Sequence, residues 1–179
     1  GSLIVKDDQH IYNRFVFVYP NGKVLSYDKR HLFSVGDEDE FFQCGTERVV
    51  IEYFGWRIMP LICYDLRFPV WSRNRGDIDL LIYVANWPSV RSDVWSTLLK
   101  ARGIENQLYV AGVNRVGDDG NSIHYSGESL LFGPRGETIG QLVLGKEQWS
   151  TYTLSLSELH HFRNKFPVGC DADDFEILV

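Results

Sequence analysis

Two apolar runs, Asp79-Leu-Leu-Ile-Tyr-Val-Ala85 and Leu108-Tyr-Val-Ala-Gly-Val-Asn114, most constrain what this chain can fold into. Neither alternates apolar with polar residues, so each reads as a central strand covered on both faces. The segment between them, Ser92 to Asn106, has the length and spacing of a long helix. Buried strands alternating with helices place the chain in the layered α/β (α+β) class. Two hairpins precede them. Arg14-Phe-Val-Phe-Val-Tyr19 and Lys23-Val-Leu-Ser-Tyr27 flank Pro20-Asn21-Gly22, where Asn-Gly predicts a tight two-residue turn with positive φ. Arg48 to Tyr53 pairs with Arg57 to Ile62, turning near Phe54-Gly55. Further strands are expected near Glu128 to Phe132, Thr138 to Val143 and Ser150 to Leu154, and helices over Phe68 to Arg75 and Ser157 to Phe166. The tail from Cys170 to Val179, acidic and then apolar, is expected to dock on the body. With no internal repeat or low-complexity linker, residues 1–179 read as one domain.

Charge and cysteine usage narrow the function classes. Eighteen basic residues against 24 acidic ones give a net charge of −6, which argues against a nucleic-acid surface. No apolar run approaches the ~20 residues that cross a bilayer, and the first residues lack the basic-then-apolar order of a signal peptide. A soluble, cytoplasmic protein without a membrane partner is the expectation. Cys44, Cys63 and Cys170 are an odd number without paired spacing, so neither a disulfide framework nor a metal knuckle is supported, and reduced thiols fit the cytoplasm. His160 and His161 are adjacent and point apart on a helix, so no metal site is expected.

Cys63 lies in Met59-Pro-Leu-Ile-Cys-Tyr-Asp-Leu-Arg-Phe-Pro69, where an apolar strand stops and a helix is expected to begin. Unpaired N–H groups there favour thiolate and can hold an oxyanion. On position alone, an inert core cysteine is the stronger reading. Lys29 follows the first hairpin, in Tyr27-Asp-Lys-Arg-His-Leu-Phe33; a random lysine is solvated, but apolar and aromatic neighbours make burial beside carboxylates plausible. Glu38 stands in the acidic loop Gly36-Asp-Glu-Asp-Glu40, which by itself reads as a solvated charge run. Glu105 ends the long helix, a poor place for a carboxylate, and calls for a partner such as a neighbouring arginine. Asn86-Trp87-Pro88 sits at the carboxyl end of the first buried strand, where ligand sites gather in layered folds, and Trp87 either walls a pocket or packs.

Taken in order, Tyr27 to Phe33, Leu61-Ile-Cys-Tyr-Asp-Leu-Arg-Phe-Pro69, Ala85-Asn-Trp-Pro88, Ala101-Arg-Gly-Ile-Glu-Asn106, Gly112-Val-Asn-Arg-Val-Gly117 and Tyr125-Ser-Gly-Glu-Ser129 resemble the motif set of the nitrilase, or carbon–nitrogen hydrolase, superfamily. Within it, Cys-Tyr-Asp-Leu-Arg-Phe-Pro-Val-Trp and Ala-Asn-Trp-Pro are most similar to the bacterial omega-amidase branch, which hydrolyses 2-oxoglutaramate and related omega-amides of short dicarboxylic acids. The resemblance implies a four-layer αββα sandwich and a Glu-Lys-Cys catalytic set. It assigns Cys63 as nucleophile, Lys29 as oxyanion-stabilising cation and Glu38 as the second glutamate bracing the lysine. It also implies thioester chemistry without a cofactor, a small amide as substrate, and a homodimer or higher homo-oligomer, with the long helix and the tail as contacts. Tyr64 (through a nearby backbone N–H), Arg67, Asn86 and Trp87 are candidate substrate-binding residues, and Arg115 is an alternative to Arg67 for a substrate carboxylate, either being equally a structural salt bridge. The family's general-base glutamate precedes the Gly-Ser-Leu-Ile segment with which this chain opens and has no match here. An N-terminally truncated domain without full activity is the expectation. Three alternatives stay open: another superfamily hydrolase, such as an N-carbamoyl amide hydrolase or nitrilase, an inactive fragment serving in binding or assembly, and a Cys-His enzyme using His31 or His124.

Overall fold

A computed structural model describes residues 1–178. The chain runs β1 (Ser2–Asp7), β2 (His10–Val18), β3 (Val24–Asp28), α1 (Glu38–Phe41), β4 (Ile51–Tyr53), β5 (Trp56–Ile62), β6 (Leu80–Ala85), α2 (Ser92–Asn106), β7 (Tyr109–Asn114), β8 (Val116–Asp118), β9 (His124–Ser126), β10 (Leu130–Phe132), β11 (Thr138–Gln141) and α3 (Leu156–Lys165). The two apolar runs are β6 and β7, paired in parallel at the centre of a six-stranded sheet of order β11-β10-β7-β6-β5-β4. β5 joins β6 in parallel, and β4, β10 and β11 are antiparallel additions. A three-stranded antiparallel sheet, β1-β2-β3, supplies Phe15 and Tyr27 to the same core as Leu61, Leu81, Tyr83 and Trp95.

Close packing of α2 on β7 depends on Gly112. A Cβ there would lie 2.3 Å from Leu99 Cδ1 and 2.7 Å from Trp95 Cζ2, and both side chains are fully buried. Buried Arg102 ties the same helix to the turn after β5: its guanidinium donates to the Leu66 carbonyl at 2.6 Å and pairs with Glu105 at 2.9 Å. That arginine is the partner which the C-terminal position of Glu105 calls for.

Five local expectations are corrected. The first hairpin closes with a three-residue loop: the Tyr19 N–H donates to the Lys23 carbonyl at 2.8 Å, and only Gly22, at φ 83°, is left-handed. Pro20 has no N–H with which to close a two-residue Asn21-Gly22 turn, so Tyr19, one residue earlier, supplies the donor. The second hairpin does have a two-residue turn, with Phe54 at φ 48° and Gly55 at φ 80°, although its first strand starts only at Ile51. Residues 68–75 form no helix; instead a five-residue 3-10 turn spans Cys63–Arg67. Pro69 disfavours helical backbone at Phe68, and the Asn74 side chain accepts the amides of Gly76, Asp77 and Ile78 in a turn. Residues 150–154 pair with no strand, because Tyr152 lays its ring over Gly140 of β11 and leaves the backbone at the surface. Glu128, at φ 57°, delays β10 to Leu130. The tail docks through Ile177 against the core and Phe175 under Arg75; Val179, its last residue, lies outside the described residues.

Gly112→Ala is expected to lower stability by about 1–3 kcal/mol through overpacking, measured as a shift in the urea midpoint. An unchanged midpoint would contradict the close approach of α2.

Candidate active site

A cavity of about 640 Å³ opens at the carboxyl ends of β5, β6 and β7. Its floor is one register row, Ile62 beside Val84 and Val84 beside Val113, so the parallel pairing itself lays down the apolar base. The residues that the sequence assigns to catalysis or substrate binding line it, Lys29, Glu38, Cys63, Tyr64, Arg67, Asn86 and Trp87, as does the alternative Arg115, whereas Glu105 does not. Neither His31 nor His124 is among its lining residues. His31 stacks on Phe68 and bonds Asp65, and exposed His124 bonds Asp118. Among the described residues, no group of three or more His, Cys, Asp or Glu is placed to hold a metal ion, and no helix is long and apolar enough to cross a membrane.

Cys63 begins the 3-10 turn at φ 46°, a left-handed conformation that costs a non-glycine residue about 1 kcal/mol. Bonds on either side hold it there. The Asp65 carboxylate, fully buried, accepts the Ile62 N–H at 3.0 Å, and Arg102 holds the Leu66 carbonyl. Asp65 also reaches the segment that carries Lys29. It accepts the Tyr27 hydroxyl at 2.8 Å, the His31 N–H at 3.0 Å and the His31 ring Nδ1–H at 2.8 Å. Burial, reinforced by Asp65, pushes the Tyr27 phenol well above its ordinary range and keeps it a donor. Its oxygen accepts in turn from Trp71 and from the Arg30 amide.

Lys29 is 1% exposed and forms an ion pair with Glu38. Glu38 does not sit in a solvated loop; it opens the short helix α1 and also accepts the Phe33 N–H at 2.8 Å. Among the described residues it is the only carboxylate lining the cavity. The expectation that a helix N-terminus lowers the Cys63 thiol is corrected. Burial is the larger effect and pushes the thiol up, while the Lys29 ammonium pulls it part of the way back; the thiol itself donates to the Asn86 carbonyl, 3.8 Å from Sγ. A single 3-10 turn has too few aligned peptides to reverse that.

Tyr64 packs edge-on to Phe33 and Phe68. Trp87 both walls the cavity and packs: it is buried against Trp95, donates its indole N–H to the Arg91 carbonyl at 2.8 Å, and carries the Arg67 guanidinium over its ring. The Asn86-Trp87 loop is held by Asn114, which accepts the Trp87 N–H at 2.8 Å and donates to the Trp87 and Gly127 carbonyls. Sequence reasoning missed Asp65, Asn114 and Arg91 as individual residues. Asp65 and Asn114 lie inside motifs that were read, and a carboxylate two residues after the cysteine was the available signal.

Residues 1–164 match the model of the carbon-nitrogen hydrolase family. The chain is 51% identical to the omega-amidase YafV of Escherichia coli (strain K12), over 99% of its own length and 69% of that relative. It is 34% identical to a 2-oxoglutaramate amidase of Bacillus subtilis (strain 168), over 96% of its length and 66% of the relative. The crystal structure of a CN-hydrolase superfamily protein from Xanthomonas campestris, with an arsenic adduct in its active site, superposes with a TM-score of 0.96 at 44% identity, covering 99% of this chain and 69% of that one.

Because the folded thiol is raised, the Cys63 reaction with iodoacetamide is expected to gain rate at a pH above the ordinary thiol range of about 8.5. Lys29→Met should push that midpoint higher still, since the cation that favours thiolate is gone. A midpoint that stays put in the variant would separate Lys29 from the thiol.

Proposed function

The chain belongs to the carbon–nitrogen hydrolase family, and from that premise we propose that it acts as an amidase on omega-amides of short dicarboxylic acids, 2-oxoglutaramate among them. The observation that carries the reading is the convergence of Cys63, buried Lys29 and Glu38 on one cavity, in a chain half identical to an omega-amidase. Cys63 attacks the amide carbon. The Lys29 ammonium, with an N–H near Tyr64, receives the charge that develops on the carbonyl oxygen. Glu38 keeps the ammonium in place, and the thiol proton goes to the nitrogen, which leaves as ammonia; in the family a general-base glutamate, which no residue of this sequence matches, carries that proton. Water then releases the acid from the thioester. A buried ammonium is suited to this work because it is already ordered and desolvated before the charge appears.

Residues 1–179 are read as one domain of a cytoplasmic protein. Three free cysteines support that compartment. Self-association into a homodimer is the accompanying reading, supported by apolar residues exposed after β11, including Val143, Leu144 and Trp149.

Incubated with 2-oxoglutaramate, the protein is expected to release ammonia, and Cys63→Ala to release none. Turnover of an N-carbamoyl amine without ammonia release from 2-oxoglutaramate would transfer the assignment to another hydrolase branch.

A further inference from the structure

The cavity is electropositive in an acidic protein. Four cationic side chains line it, Lys29, Arg67, Arg91 and Arg115, against the single carboxylate of Glu38, while the whole chain carries a net charge of −6. Lys29 is engaged by Glu38, and Arg115 donates to the Asp118 carbonyl at 3.1 Å and lies over Tyr125. Arg67 and Arg91 differ from both. Among the described residues neither guanidinium has a carboxylate partner or donates a hydrogen bond. Each is held by an aromatic face, Arg67 over Trp87 at 5.4 Å and Arg91 over Phe33 at 5.7 Å. Stacking of this kind fixes a guanidinium while leaving its planar fork of N–H donors free.

The two arginines belong to one wall. The Arg91 carbonyl accepts the indole N–H of Trp87, the ring on which Arg67 rests. Phe33, beneath Arg91, donates its backbone N–H to Glu38. Arg91 therefore sits where the Trp87 loop meets the segment that positions Glu38 and Lys29. A free fork on each side of that junction suits a carboxylate, which two guanidiniums can bind in plane. Cations lining a low-dielectric cleft also raise the local concentration of anions.

We propose that Arg91 determines specificity, and that together with Arg67 it receives the remote carboxylate of the substrate. The assignment rests on the amidase reading for what happens at Cys63, but the recognition it describes precedes any chemistry. Amides bearing an anion far from the scissile carbon are favoured over neutral amides of the same length, and Arg91 accounts for much of the preference.

The test is protection of Cys63 from iodoacetamide by two amides that differ only at the remote end, glutaramate with a carboxylate and pentanamide with a methyl group. Alkylation is followed by peptide mass mapping. Glutaramate is expected to protect at a concentration about tenfold lower than pentanamide. Arg91→Gln should raise the glutaramate concentration needed by about tenfold and leave that of pentanamide unchanged, with Arg91→Lys between the two. The rate without any amide shows whether the variant site is intact. Equal protection by both amides in the wild type, or an equal shift of both in Arg91→Gln with an unaltered unprotected rate, overturns the proposal. Protection needs no turnover. Selective protection without ammonia release therefore sinks the amidase reading alone, and ammonia release with unselective protection sinks this one alone.

Discussion

The buried carboxylate of Asp65 is the interaction on which the candidate site depends. One anion in the core satisfies donors from two stretches of chain far apart in sequence, the turn after β5 and the segment after β3. A buried carboxylate is tolerable only when its oxygens are fully hydrogen-bonded, and its loss leaves the donors unpaired, so the arrangement is all-or-none. The first stretch carries Cys63 and the second carries Lys29. Joining them through Asp65 sets the separation of the Cys63 thiol and the Lys29 ammonium without either side chain having to bond the other.

Two opposing requirements meet at Cys63. Burial strengthens the Lys29 charge, but at Cys63 it also favours the neutral thiol. In the proposed reaction the stabilisation lies where charge develops on the carbonyl oxygen instead of on a resting thiolate. Lys29 is ordered by Glu38, Glu38 by the Phe33 amide, and the facing loop by Asn114. Preorganised charge of this kind acts on the transition state without rearrangement. The left-handed backbone of Cys63 fits the same design, since the surrounding bonds over-determine a conformation the residue would not choose alone.

The centre of the fold was legible because β6 and β7 are apolar on both faces and α2 has length and spacing between them. The Phe54-Gly55 turn was legible from local chemistry. Residues 68–75 were not, because their apolar spacing imitates a helix and the deciding effects, Pro69 and the side-chain bonds of Asn74, are local exceptions to periodicity. Cys63, Lys29 and Glu38 could be named from ordered motifs, but their individual surroundings favoured blander readings. Only tertiary structure shows Lys29 buried and Glu38 turned toward it. Asp65 stayed hidden for the same reason: Tyr27 and His31, its partners, lie 38 and 34 residues away. The sign of the thiol shift was misjudged because the strand-to-helix position was visible in sequence and the degree of burial was not.

The central claim is that Cys63 forms a covalent acyl intermediate in this cavity. Mass spectrometry of acid-quenched protein after brief exposure to an omega-amide tests it most directly. The account predicts an acyl adduct confined to the Cys63 peptide and cleared by hydroxylamine, as a thioester is. Ammonia release with Cys63 unmodified at every time point, or an adduct on Cys44 or Cys170 instead, would contradict it.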